Sequence, residues 1–217
     1  MPFDLGELRR HPDVEGHGLE ASDAADRLIL DEAAALAEGR GPGERVVIDD
    51  AYGALALCCA AAGASGIRVH QDLVTGERAL AANAVRAGFA GEVRSLPLGR
   101  ELLVGARLVL LRLPRSLDRL DEVAGLIAGH AASDVVVLAG GRVKHMSLAM
   151  NEVLGAWFDR NDVSHARQKS RLLIARGARG PVSSRAPSPR RPLVCFPHAG
   201  SSVPNPDGKT FRRRHAA

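Results

Sequence analysis

From residue 45 to residue 139, apolar runs of strand length alternate with stretches of helical period, and this alternation restricts the fold more than any other feature of the chain. Strands separated by single helices cannot pair as hairpins; they build a mostly parallel sheet covered on both faces. The strand-like runs are 45–49, 67–70, 92–96, 108–113 and 134–139. The last, Asp134-Val135-Val136-Val137-Leu138-Ala139, is nearly all apolar, as a strand buried on both faces must be. Ahead of the first strand, Ser22 or Asp23 can cap a helix through Ala25, Leu28, Ile29 and Leu36, and Gly39-Arg40-Gly41-Pro42-Gly43 stops it. A small-residue helix follows Gly53. Ala79, Ala82, Val85 and Ala87 share a helical period ending at Gly88, and 117–127 and 146–158 give two further helices. Residues 163–176 predict a terminal antiparallel hairpin. The expected fold is α/β: a doubly wound, mostly parallel, Rossmann-like sheet closed by that hairpin.

At 217 residues, 46% of them hydrophobic, the chain can bury the core of one sizeable α/β domain and carry an appendage. The appendage shows in the charge. Residues 176–217 hold nine Lys or Arg against the single acid Asp207, so a net charge of +4 for the whole chain leaves the first 175 residues at −4. The same stretch gathers Pro, Ser and Gly, cannot bury enough apolar surface to offset its ordering entropy, and is expected to be disordered. The sequence therefore divides into an arm (1–21), an α/β domain (22–177) and a basic tail (178–217).

Several function classes fall away. Aromatics make up 3% of the chain, too few for base-stacking platforms. The adjacent Cys58 and Cys59 form no CxxC pair and sit in an apolar helix, while Cys195 and His198 lack a second pair at zinc spacing, so no metal site is expected. Cysteine usage fits a reducing cytoplasm, and neither a leader nor a membrane-length apolar run occurs. Gly63-Ala64-Ser65-Gly66 is not a nucleophile elbow and no phosphate-loop Gly-Lys-Ser/Thr is present. Asp13, Glu15 and His17 are expected to be solvated.

The element order resembles that of the class I S-adenosylmethionine methyltransferases, whose first motif is an apolar strand, an acid and G-x-G-x-G. Here the strand runs into Asp49-Asp50-Ala51-Tyr52-Gly53-Ala54-Leu55. Asp49 takes the acidic position, Gly53 the middle glycine, and Ala51 and Leu55 replace the other two. Glycine in such a turn supplies positive φ and lets a ligand approach the next helix closely, so the replacements oppose cofactor binding. Asp72, after the second strand, could face a ribose hydroxyl or simply cap a helix. Where amine-methylating enzymes carry Asn-Pro-Pro-aromatic after the fourth strand, this chain has Leu113-Pro114-Arg115-Ser116. Its one Asn-Pro, in Asn205-Pro206-Asp207-Gly208, reads as a turn.

Together with the spacing of Asn83 and Gly88, Gly140-Gly141-Arg142-Val143-Lys144-His145-Met146 and Arg167-Gln168-Lys169-Ser170-Arg171-Leu172, these motifs resemble the N-terminal half of the two-domain ribosomal RNA guanine-N2 methyltransferases over residues 15–176. The resemblance implies a degenerate domain supporting folding or RNA recognition. A separate C-terminal domain would bind S-adenosylmethionine and perform catalysis. On that reading this chain holds no catalytic residue, and Asp49, Gly53 and Asp72 are vestigial cofactor positions. It binds no cofactor alone and is a lone domain, a truncated product or a fragment. Its partners are ribosomal RNA and the missing catalytic domain, and a face left uncovered could drive self-association. Candidate RNA contacts are Arg142, Lys144 and His145, just past the buried strand, with Lys169 and Arg171 at the hairpin; a plain solvated rim is the other reading. Arg212-Arg213-Arg214 would attract any polyanion. The competing function is an active S-adenosylmethionine-dependent enzyme with an unusual first motif, which requires open space beside Gly53.

Overall fold

The computed structural model describes residues 3–180. After a 3-10 turn at Leu5–Glu7, the order is α1 (Ala24–Ala35), β1 (Arg45–Ile48), α2 (Ala54–Ala61), β2 (Ile67–His70), α3 (Val74–Ala87), β3 (Val93–Ser95), α4 (Arg100–Leu103), β4 (Leu108–Arg112) and α5 (Leu117–His130). It continues through β5 (Val136–Arg142), a second 3-10 turn at Val143–His145, α6 (Leu148–Trp157), β6 (Phe158–Val163) and β7 (Ser170–Ala178). The seven strands form one sheet in the order β3-β2-β1-β4-β5-β7-β6. β1 to β5 pair in parallel, and β7 runs antiparallel between β5 and β6.

Alternate residues of the central strands serve opposite faces, which is why these strands read as continuous apolar runs. Val47, Leu110 and Leu138 pack with Ile29 of α1, Leu55 of α2 and Leu80 of α3. Val46, Val109, Leu111 and Val137 pack with Leu102 of α4, Val123 of α5 and Leu154 of α6. Gly140 lets α1 seat closely on β5: a Cβ there would fall within 2.6 Å of Ile29 Cδ1 and 2.9 Å of Leu172 Cδ2.

Local signals hold at several ends. Asp23 caps α1 in a reciprocal capping box with Asp26, and Gly88 ends α3 at φ 78°. The terminal hairpin is present, but its first strand begins earlier than 163. α6 stops at Trp157 because Phe158 turns extended (φ −127°, ψ 145°) and is buried in the core. Nothing in Asp159-Arg160-Asn161-Asp162 alternates, since β6 is an edge strand whose polar side chains pair with one another and with β7, Arg160 of β6 and Arg176 of β7 both reaching Asp162. The one-turn α4, unmarked in the sequence, forms around the buried pair Leu102 and Leu103.

The N-terminal arm packs on the domain. Leu8 is buried, and Asn83 of α3 ties the arm down: its Oδ1 accepts from Arg9 N (3.0 Å) while its Nδ2 donates to the carbonyls of Arg9 (2.9 Å) and Tyr52 (2.8 Å). The motifs at 195–198, 205–208 and 212–214 lie outside the described residues.

Candidate functional site

The loop from β1 to α2 takes left-handed backbone at every second residue, with glycine at one of the three. Asp49, Ala51 and Gly53 take positive φ at alternate positions, 62°, 53° and 99°. Residues with a Cβ pay roughly 1–2 kcal/mol each for this conformation. Asp50, between them, is 2% exposed and supplies the offsetting bonds. Its Oδ1 accepts from Leu55 N at 2.8 Å and its Oδ2 from Ala56 N at 2.9 Å. A side-chain carboxyl thus fills the anion-favouring N-terminus of α2. Burial pushes Asp50 up to about 7, against the lowering effect of those two bonds.

Beside Gly53 the space is filled: an added Cβ would come within 2.7 Å of Leu80 Cδ1 and 3.2 Å of Leu57 Cδ1. Leu55 is fully buried under α1 and α3, part of the core rather than a wall of a ligand cleft. The glycine at 53 therefore serves φ and helix packing.

At the carboxyl ends of β1 and β2, Asp49, His70 and Asp72 converge, with ligand atoms all within 4.8 Å of one another. Arg119, from the first turn of α5, lies among them. Its Nη2 is 2.8 Å from Asp72 Oδ1, 3.2 Å from His70 Nε2 and 3.9 Å from Asp49 Oδ1, and its Nη1 bonds Glu122 at 3.0 Å. The guanidinium already supplies the positive charge a metal would bring. His70 Nδ1 donates to Leu96 O at 3.0 Å and its Nε2 lies 3.0 Å from Asp72. Burial pushes Asp49 up, and Arg119 works against it. Of the two roles open to Asp72, ribose ligand or helix cap, the second is not taken: α3 begins without a side-chain cap after Leu73, and Asp72 instead joins this cluster.

What remains of a cleft here measures about 260 Å³, bounded by Asp49, Ala51, Tyr52, Asp72, Gly76 and, from the arm, Asp13. Clefts that enclose drug-sized ligands typically run roughly 300–1,000 Å³. Asp13, expected to be solvated, accepts from Tyr52 Oη at 2.5 Å, and Arg10 stacks 4.7 Å above the Tyr52 ring. That bond holds Asp13 below its ordinary value, while burial and then the same bond push Tyr52 up to about 12. The residues present do not match a cradle for S-adenosylmethionine: an arginine stands between the two acids and a carboxylate caps the helix.

The basic candidates lie further along the same sheet end. Arg142 closes β5, and Lys144 and His145 occupy the 3-10 turn after it. Lys169 O accepts from Val143 N at 2.9 Å, and Arg171 stands opposite Gly141 in the β5–β7 register, so the backbones of all five lie at one end of the sheet. Arg115, in the β4–α5 loop, joins them: with Arg142 and His145 it bounds a second cavity of about 220 Å³. Sequence reasoning missed Arg115 and Arg119, since nothing local distinguishes them from solvated arginines near a helix start. Cys59 is buried and Cys58 half-buried, their thiols pushed by burial to about 11 and about 12, as expected of inert core residues.

A parallel sheet with an antiparallel β7 inserted before β6, and an acid-bearing strand-turn-helix at its first strand, define a domain of the class I methyltransferase type. Solved structures agree on the fold. The 16S rRNA N2 methyltransferase (RsmC) of T. thermophilus, determined with AdoMet and guanosine, superposes at a TM-score of 0.59 with 17% identity, over 74% of this chain and 44% of that one. The ribosomal protein L11 methylase of Lactobacillus delbrueckii subsp. bulgaricus superposes at 0.56 with 13% identity, over 71% and 80%. The family model of the RLMG N-terminal domain matches residues 2–179, and the chain belongs to that family. Curated relatives include the ribosomal RNA large subunit methyltransferases G of Pseudomonas paraeruginosa (strain PA7), 33% identical over 91% of this chain and 54% of theirs, and of Pseudomonas fluorescens (strain Pf0-1), 32% identical over 80% and 46%. The chain spans about half the length of the curated relatives it matches. Among the described residues no helix is long and apolar enough to cross a membrane.

Proposed function

We propose that this domain is a non-catalytic, methyltransferase-like module of a ribosomal RNA methyltransferase system, serving RNA recognition or the folding of a catalytic domain, in the cytoplasm. One observation carries the reading: the Arg119 guanidinium sits between Asp49 and Asp72, where the family resemblance places cofactor contacts. Displacing it would leave two carboxylates facing one another, and Asp50 would still hold the amides of α2. The loop after β4, Leu113-Pro114-Arg115-Ser116, holds no Asn acceptor, and Ser116 Oγ is already taken by Arg119 N at the start of α5.

The unpartnered cations of the rim support an RNA role, and the relatives named as ribosomal RNA methyltransferases supply the RNA class. The competing reading, an enzyme with an altered first motif, has the 260 Å³ cleft in its favour. Methyl transfer separates them. The chain is incubated with methyl-labelled S-adenosylmethionine and deproteinised ribosomal RNA, beside an Asp72→Asn variant. No incorporation above background is expected; incorporation that disappears in the variant overturns the proposal.

A further inference from the structure

Most arginines of the described domain are spoken for. Arg94, Arg107, Arg112, Arg119, Arg167 and Arg179 each pair with a carboxylate, and Arg40, Arg45 and Arg68 donate to backbone carbonyls. Among the described residues, the side chains of Arg115, Arg142, Lys144, Lys169 and Arg171 make no hydrogen bond or ion pair; Arg9, Arg78 and Arg100 are also without one but stand singly, in the arm, α3 and α4. The five gather on a domain whose first 175 residues carry a net −4, so the concentration is not a by-product of a basic surface.

The cavity at the centre of this group is small and one-sided in charge. Its walls are Arg115 from the β4–α5 loop, Arg142 from the end of β5, His145 from the 3-10 turn, and the apolar side chains of Leu113 and Met146. The acid in its wall, Asp23, is consumed by Arg112, which bonds Asp23 Oδ1 at 2.7 Å and Oδ2 at 3.0 Å. Those bonds outweigh burial and hold Asp23 at about 2. His145 is held below its ordinary value by lost hydration and by the positive charge of Arg115, Lys144 and Arg142. Two arginines without a protein partner thus line one space of about 220 Å³, and guanidinium forks suit the oxygens of a tetrahedral anion. The place is the loop after β4, where the amine-accepting clamp is absent.

We propose that the cavity bounded by Arg115, Arg142 and His145 holds one backbone phosphodiester of RNA, with Lys144, Lys169 and Arg171 reaching neighbouring phosphates. This rests on the RNA-recognition reading above and locates it.

The test uses the full chain, so that the basic tail is the same in every sample. Binding of a short fluorescein-labelled single-stranded RNA is followed by anisotropy across a salt series for three proteins: wild type, Arg115→Gln/Arg142→Gln, and Arg78→Gln/Arg100→Gln, which removes the same charge elsewhere. The cavity variant should bind about tenfold more weakly, with its log–log salt slope shallower by about 0.7 for each phosphate no longer neutralised. The control should stay within about twofold. Equal losses in both variants overturn the cavity while leaving RNA recognition standing; no RNA binding by wild type overturns both. Should the cavity variant unfold, the wild type answers alone by NMR of the His145 ring. Inorganic phosphate should shift its signals saturably at ionic strength matched with chloride, and identical effects of the two salts refute the site.

Discussion

Arg119 Nη2 lies 2.8 Å from Asp72 Oδ1 and 3.9 Å from Asp49 Oδ1, joining the first turn of α5 to the ends of β1 and β2 across the space where two acids would otherwise face a ligand. The domain's own guanidinium thus supplies counter-charge to both acids beside the cleft of about 260 Å³.

Bridging Asp49 and Asp72 makes Arg119 a stabilising residue. Arg119→Met should lower stability by about 1–2 kcal/mol, because Asp49, largely buried, loses its counter-charge; Asp72 is more than half exposed and adds little. Urea unfolding at neutral pH measures it, and the deficit should shrink as acid protonates Asp49, whose carboxyl burial holds above its ordinary 3.8.

Asp50 gives stability an unusual pH dependence. Its carboxyl is raised from an ordinary 3.8 to about 7 in the folded chain, so between those values the folded state holds a proton the unfolded state has lost. This group's contribution is complete below pH 4 and is lost as pH rises through 7. Asp50→Asn keeps an acceptor for α2 and should flatten stability across that window. Asp23, held at about 2 by Arg112, runs the opposite way: its contribution is present above pH 4 and lost as pH falls toward 2. Chemical denaturation at a series of pH values, in wild type and Asp50→Asn, separates the two.

The turn offers a matched pair of substitutions. Gly53→Ala forces a Cβ into φ 99° and against Leu80, and should cost about 2–4 kcal/mol. Ala51→Gly relieves a left-handed alanine and should stabilise by about 0.5–1 kcal/mol after the entropy that glycine adds to the unfolded chain. Opposite signs in one denaturation experiment are expected. A shared sign would mean the turn does not have the backbone described.

Much of this architecture is legible in the chain. Apolar runs of strand length locate β1 to β5, and Asp23 and Gly88 mark helix ends through local hydrogen bonding and backbone freedom. What escapes is decided by tertiary contacts. Phe158 leaves the helical pattern because the core needs it, and Leu102 and Leu103 make a helical turn because they are buried. The site divides in the same way. Asp49, Gly53 and Asp72 stand out by spacing, and the rim of Arg142, Lys144, His145, Lys169 and Arg171 by charge beside a buried strand. Arg119 and Arg115 are ordinary in sequence; only the crossover of α5 above the sheet brings them to the acids and to the cavity. The role of Asp50 is hidden beside Asp49, since two adjacent acids look alike until one faces the core.

Whether the space between Asp49 and Asp72 still admits a cofactor decides between a non-catalytic module and an enzyme. Isothermal titration of the folded chain with S-adenosylmethionine measures this directly. No saturable heat is expected, with circular dichroism showing the chain folded; stoichiometric binding in the micromolar range would contradict the non-catalytic reading and reopen the domain as an enzyme.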